Sequence, residues 1–284
     1  MSKIAFVTDS TAYLPPELCQ QHNITVTPQV LIWGEQTYND GIDIRPEEYY
    51  ARLKDAKVMP STSQVPIPVM QSAFQGLVDQ GYEVIGVFIS SKLSGTMQSA
   101  IQGREMLGTA AEKVTVIDSQ STAMAMGFQV LTAARAAQAG ASLKECLALV
   151  EQAREKTGVF FAVDTLEFLH RGGRIGGAQR FIGTALNMKP VLAIQDGRVE
   201  PMERIRTKGK ALERVIELVS EQVKGRANIR LATLHANAAD EARAVLDKAS
   251  QQVGAVESIQ TAVSPVVGTH TGPGTIGLAY IADM

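Results

Sequence analysis

Ser90, Ser91, Ser94 and Thr96 gather four hydroxyls around Gly95 in the run Ser90-Ser91-Lys92-Leu93-Ser94-Gly95-Thr96-Met97-Gln98-Ser99-Ala100. Hydroxyls and main-chain amides at the amino end of a helix favour a negatively charged oxygen, because the first turn leaves N–H groups unpaired and the helix dipole adds partial positive charge. The chemistry on offer is anion binding, although a serine that only caps a helix gives the same pattern. A second candidate is Gly172-Gly173-Arg174-Ile175-Gly176-Gly177. It is neither a GxGxxG fingerprint nor a P-loop, since no Lys-Ser/Thr pair closes it. Arg174, flanked by glycines, is expected to present an exposed guanidinium fork to a phosphate or carboxylate, while the glycines themselves serve equally well for a tight helix-to-helix turn. Arg198, Arg204, Arg206, Lys208 and Lys210 add a basic run that suits either an anion or a solvated sheet edge.

His270 lies within Ser264-Pro265-Val266-Val267-Gly268-Thr269-His270-Thr271-Gly272-Pro273-Gly274, which reads as a loop bounded by glycine and proline. An imidazole there can donate to a carboxylate while a neighbour fixes its other nitrogen, and protonation near neutrality strengthens that bond. A bond to a backbone carbonyl is the alternative. Thr62 sits in Pro60-Ser61-Thr62-Ser63-Gln64-Val65-Pro66-Ile67-Pro68, a stiff extended loop that presents hydroxyls. No GxSxG motif is present, and neither Ser94 nor Thr62 has a histidine nearby in sequence to activate it, so these hydroxyls read as binding groups. Paired carboxylates for hydrolysis are not signalled. His22, His170, His235 and His270 are scattered, as are Cys19 and Cys146, so no metal is expected and the thiols read as free and buried.

The elements that must carry these groups alternate between strand and helix. Apolar runs at 4–7, 84–89 and 113–118 read as strands that end in polar turns, Thr8-Asp9-Ser10-Thr11 being one such junction. Further short strands are expected at 24–26 and 29–32, and helices after Pro15-Pro16, after Pro46, at about 69–78 and 123–139, and from the Ser142 capping box to Lys156, with Gly158 as its stop. A strand at 159–163 precedes a change of pattern. Asp196-Gly197 between 189–194 and 198 onward signals an antiparallel hairpin. Helices at 209–223 and 239–253 and strands at 229–235, 256–263 and 276–281 complete the chain. The reading is an α/β chain of two domains, 1–160 and 161–284.

With 27 basic and 29 acidic residues among 284, bulk charge offers no nucleic-acid footprint. The amino terminus enters a strand without a long apolar run, and no segment is long enough to span a bilayer, so a soluble cytoplasmic protein is expected.

Taken in order, Thr8-Asp9-Ser10, Pro60-Ser61-Thr62-Ser63-Gln64, Ser94-Gly95-Thr96 with Ser99-Ala100, Asp118-Ser119, Gly172-Gly173-Arg174-Ile175, Lys189-Pro190, Arg204-Ile205-Arg206-Thr207-Lys208 and the segment Gly268 to Gly274 resemble the DegV family over nearly the whole chain. The resemblance implies an N-terminal, mainly parallel sheet flanked by helices and a C-terminal α/β domain with a mixed sheet. It implies a bacterial fatty-acid-binding protein, the B subunit of a fatty acid kinase, with no catalytic residue, metal or cofactor of its own. A long-chain fatty acid would lie in a narrow apolar tunnel, its carboxylate held at the domain interface by Thr62, Ser94, Gly95 and His270. A separate ATP-dependent kinase subunit, docked through Arg174 and Arg206, would phosphorylate the carboxylate to an acyl phosphate for phospholipid synthesis, with transient membrane-surface contact. The chain departs from the family pattern at Tyr13, on which the expected site does not depend. Only 5% of residues are aromatic, which suits an aliphatic tunnel. The other readings considered are a dihydroxyacetone-kinase-like phosphotransferase and a small-anion sensor module.

Overall fold

The computed structural model describes residues 3–183 and 188–284. In chain order the strands and helices are β1 (Lys3–Asp9), α1 (Pro16–Gln21), β2 (Ile24–Thr27), β3 (Val30–Trp33), β4 (Gln36–Asn39), α2 (Pro46–Leu53), β5 (Ser61–Ser63), α3 (Ile67–Asp79), β6 (Tyr82–Phe88), α4 (Thr96–Glu105), β7 (Val114–Asp118) and α5 (Ala123–Gln138). They continue as α6 (Leu143–Lys156), β8 (Thr157–Ala162), α7 (Glu167–Arg171), β9 (Lys189–Gln195), β10 (Arg198–Ile205), α8 (Lys208–Val223), β11 (Arg230–His235), α9 (Ala239–Val253), β12 (Glu257–Ala262), α10 (Pro265–Thr271) and β13 (Ile276–Ile281).

Three sheets result. The first is parallel, in the order β2-β1-β6-β7, as the apolar runs ending in polar turns require. The second is mixed, in the order β10-β9-β8-β13-β11-β12, and only β11 and β12 in it run parallel. The expected hairpin is present: Arg198 opposes Gln195 across the Asp196-Gly197 turn. The third sheet, antiparallel β4-β3-β5, was not expected. β4 is mostly exposed and β5 has only three residues, so neither shows a hydrophobic pattern.

The two larger sheets share a core. Phe6 and Ile85 of the parallel sheet, Met124 and Phe128 of α5, and Val159, Leu234 and Ala279 of the mixed sheet form one buried cluster. Helix α5 lies between the sheets, and its alanines allow that close approach.

Four local expectations change. Helix α3 begins at Ile67 and takes in Pro68, since a proline in the first turn lacks only an N–H that has no partner there anyway. Helix α6 passes directly into β8, so Gly158 is a strand residue and not a helix stop; the ring of Tyr280 occupies the space a side chain would fill. The chain therefore enters the mixed sheet at Thr157, and a division after residue 160 falls within β8. Cys146 is buried and free as expected, whereas Cys19 is free but only half-buried, its thiol pushed up to about 11 by desolvation.

The fourth change bears on function. The Pro265–Thr271 segment is a helix, not a loop. Ser264 caps it by accepting from the Val267 amide, Pro265 starts it, and the Thr269 and Thr271 hydroxyls donate back to the carbonyls of Pro265 and Val267. Gly268 and Gly272, which made the stretch look like a loop, are places where Tyr50 and Phe168 pack directly on the backbone.

Candidate functional site

The run after β6 folds on itself before α4 begins. Ser90 carbonyl oxygen accepts from the amides of Leu93 (2.9 Å) and Ser94 (3.1 Å). Ser94 Oγ then accepts from the Thr96 amide (3.2 Å) and shares a 2.9 Å hydrogen bond with Thr96 Oγ1. Gly95 holds the N-cap position without a side chain, so the positive end of the ten-residue helix α4 faces the turn. Gly95 is required by a neighbour: a methyl group on it would lie 2.2 Å from Gln64 Oε1. That close approach is made by a protein side chain, and Gln64 in turn donates to Ser99 Oγ.

Thr62 is carried by β5, which pairs with β3 so that Thr62 stands opposite Leu31. Its Oγ1 is 2.8 Å from His270 Nε2, a contact between residues 208 apart in the chain. His270 occupies the last turn of α10. On its other side the ring abuts Gly172, where a methyl group would stand 2.1 Å from Nδ1. Nδ1 is buried and has no hydrogen-bond partner among the described residues. Desolvation and the nearby Arg174 charge lower the imidazole pKa to about 4. The ring is therefore neutral at pH 7 in the unliganded protein, contrary to the expectation of protonation near neutrality. A carboxylate beside it supplies the opposite charge and raises that pKa.

Thr62, Ser94, Gly95, His270 and Arg174 all line one cavity of about 170 Å³. Most of its exposed wall is apolar and comes from both halves of the chain, Ile89 and Leu93 from one and Phe161, Leu169, Leu234 and Val267 from the other. The β9–β10 hairpin closes one side with Ile194 and Val199. Its turn is clasped from the Ser94 side: Ser90 Oγ donates to the Gly197 carbonyl (2.9 Å) and Lys92 Nζ to that of Asp196 (2.7 Å).

Arg174 differs from the exposed fork expected of it. Its Nε donates to the Leu93 carbonyl (3.0 Å) and its Nη1 to that of Gly172 (2.8 Å), which turns the half-buried guanidinium toward the cavity. Among the described residues it is the one lysine or arginine in the lining, which includes no Asp or Glu. Arg206 lies exposed beyond β10, outside the cavity.

Thr11, Tyr13, Gln29 and Gln64 also line the cavity and were not assigned to it from the sequence. The polar end of β1 was the available signal. Asp9, fully buried, accepts from the amides of Thr11 and Ile89 and from Thr11 Oγ1 and Gln29 Nε2, which fixes the ends of β1 and β6 together. Burial raises its pKa. Tyr13, on which the expected head-group site does not depend, is part of the cavity wall and has a left-handed backbone (φ 55°). Among the described residues no three or more His, Cys, Asp or Glu side chains are placed to hold a metal ion, and no helix is long and apolar enough to cross a membrane.

A family profile described as an uncharacterised protein of the DegV family matches residues 3–283. A DegV domain-containing protein of Halalkalibacterium halodurans is 35% identical over 286 residues, covering 100% of both chains. Among solved structures, a DegV family protein from Thermus thermophilus, described in terms of its fatty acid binding, superposes with a TM-score of 0.93 at 35% identity, over 99% of this chain and 100% of that one. DegV from Bacillus subtilis, described as a fatty acid binding protein, gives 0.90 at 33% identity with both chains fully covered. The profile match, the sequence identity and the superposition agree, and the chain belongs to the DegV family.

Proposed function

We propose that this chain binds one long-chain fatty acid in the cavity and presents its carboxylate to a separate ATP-dependent kinase subunit, which converts it to an acyl phosphate. The observation that carries the reading is the meeting of Thr62, Ser94 and His270, from three distant stretches, on one mostly apolar cavity. The head group would accept hydrogen bonds from the Thr62 and Ser94 hydroxyls and from His270, beside the amide end of α4 at Gly95, with Arg174 as the compensating charge. A buried carboxylate is tolerated when its oxygens are bonded and its charge is balanced. The tail supplies affinity at about 0.8 kcal/mol per buried methylene. The head group thus orients the ligand and the tail holds it. The imidazole that meets Thr62 is a weak base, with a pKa lowered to about 4 and no carboxylate on its Nδ1 among the described residues, so the chain would present its ligand without attacking it.

In this reading two domains enclose the ligand, the division expected after residue 160 being set at the entry to β8 at Thr157. The kinase docks through Arg174 and the exposed Arg206, and the acyl phosphate passes to phospholipid synthesis. The protein works in the cytoplasm and touches the membrane surface transiently to exchange its ligand. The relatives from Thermus thermophilus and Bacillus subtilis described as binding fatty acid support the ligand assignment. Denaturing extraction of the purified protein followed by mass spectrometry tests it. A stoichiometric long-chain acid is expected; a lipid-free protein that consumes ATP alone overturns the carrier reading.

A further inference from the structure

We propose that Asp40 is a positioning residue of the carboxylate site, holding the amino end of the helix that carries His270 against the N-terminal half of the chain. The inference rests on the reading of Thr62 and His270 as head-group ligands. Helix α10 follows the last strand but one, yet it is fastened to residues from the first third of the sequence. The Val266 amide donates to Asp40 Oδ1 (3.2 Å), Tyr50 hydroxyl donates to the Val263 carbonyl (3.3 Å), and Tyr49 hydroxyl pairs with Thr269 Oγ1 (3.0 Å). Val266 and His270 are four residues apart, so the Asp40 anchor lies about one turn below the imidazole on the same face.

Asp40 is itself held from two directions. Its Oδ2 accepts from Ser10 Oγ (2.7 Å), its amide donates to the Gln29 carbonyl (2.9 Å), and Ser10 Oγ accepts from the Gln29 amide (3.2 Å). Asp40 thereby ties the end of β1 and the first turn of α10 through its carboxylate, and the start of β3 through its amide, into one unit. It is 2% exposed, and no lysine or arginine among the described residues forms an ion pair with it. Burial raises its pKa to about 6, against the bonds from Ser10, Ser264 and Val266, so it is ionised at neutral pH at a desolvation cost. Asp40 does not line the cavity. What it provides there is a fixed charged acceptor for α10, and a hydrogen bond to an ionised group is stronger than one between neutral partners.

The test is a double-mutant cycle on palmitate affinity, read together with the ring-nitrogen NMR resonances of His270 in the unliganded protein. Asp40→Ala is expected to weaken palmitate about tenfold, the scale of one such bond, to shift the His270 resonances, and to have no further effect in a His270→Ala background. Asp40→Asn keeps an acceptor for Val266 and a donor toward Ser10, and is expected to restore affinity to within about threefold of wild type. If Asp40→Ala does not fold, Ser10→Ala removes the donor that holds Oδ2 and is expected to act in the same direction. Wild-type affinity in Asp40→Ala, or an effect that adds fully to that of His270→Ala, overturns the proposal. If His270→Ala binds palmitate like wild type, the head-group reading fails instead, and unmoved His270 resonances in Asp40→Ala then overturn the role of Asp40.

Discussion

The two walls of the cavity that carry Ser94 and His270 are built differently. The Ser94 wall is local: strand, turn and helix follow one another within residues 82–105, and Ser94 is oriented by bonds to Thr96 two residues away. The His270 wall is assembled from afar, since α10 is bonded to Asp40, Tyr49 and Thr62 and the chain just before it to Tyr50, each more than 200 residues earlier. A local wall loses one ligand when one residue changes. A wall assembled from distant contacts can lose its geometry through residues that never meet the ligand.

The largest expected difference is at His270. Replacing it with alanine removes the proposed donor to the head group and leaves a void beside Gly172, and is expected to weaken fatty-acid binding by roughly 10- to 100-fold in a displacement titration. Equal loss on mutating either wall would break the contrast.

Stability against pH sharpens it further. His270 titrates at about 4 folded against 6.5 in the free side chain, so between these values the unfolded chain binds the extra proton and this group's contribution to stability is lost as pH falls through the window. Asp40 titrates at about 6 against 3.8, so the folded chain binds the extra proton and its contribution is lost as pH rises from about 4 to 6. The two opposing terms are each on the order of 2 kcal/mol. Thermal melts of the unliganded protein are expected to show His270→Ala losing stability from pH 4 to 6 relative to wild type, and Asp40→Asn gaining it. Parallel curves for all three would remove His270 and Asp40 as buried, oppositely titrating groups.

Ser94→Ala is expected to be milder, about fivefold in affinity, because the backbone bonds from Ser90 keep the turn and only one hydroxyl is lost. Arg206→Ala is expected to leave affinity unchanged and to lower acyl phosphate formation in a reconstituted kinase assay; a fall in affinity would place Arg206 in the binding site.

The same contrast explains what could be read from the sequence. The parallel sheet, the hairpin at Asp196-Gly197 and the junction at Gly95 follow from apolar runs, turn residues and hydroxyls that are neighbours in the chain. The helix at Pro265–Thr271 was missed because its glycines signal a loop locally, while their actual role is to admit Tyr50 and Phe168. The depressed imidazole pKa, the inward turn of Arg174 and the place of Tyr13 in the wall depend on burial among residues far apart in sequence, which no local pattern encodes. The order of short motifs nevertheless indicated the family, because each motif marks one junction of the same assembly.

The central claim is that the cavity recognises a free carboxylate at the Thr62, Ser94 and His270 cluster. Calorimetric titration of delipidated protein with palmitate and with its methyl ester tests it most directly. One equivalent of acid is expected to bind at least about tenfold more tightly than the ester, with the preference lost in His270→Ala. Equal affinity for acid and ester, or no binding of either, would contradict the claim.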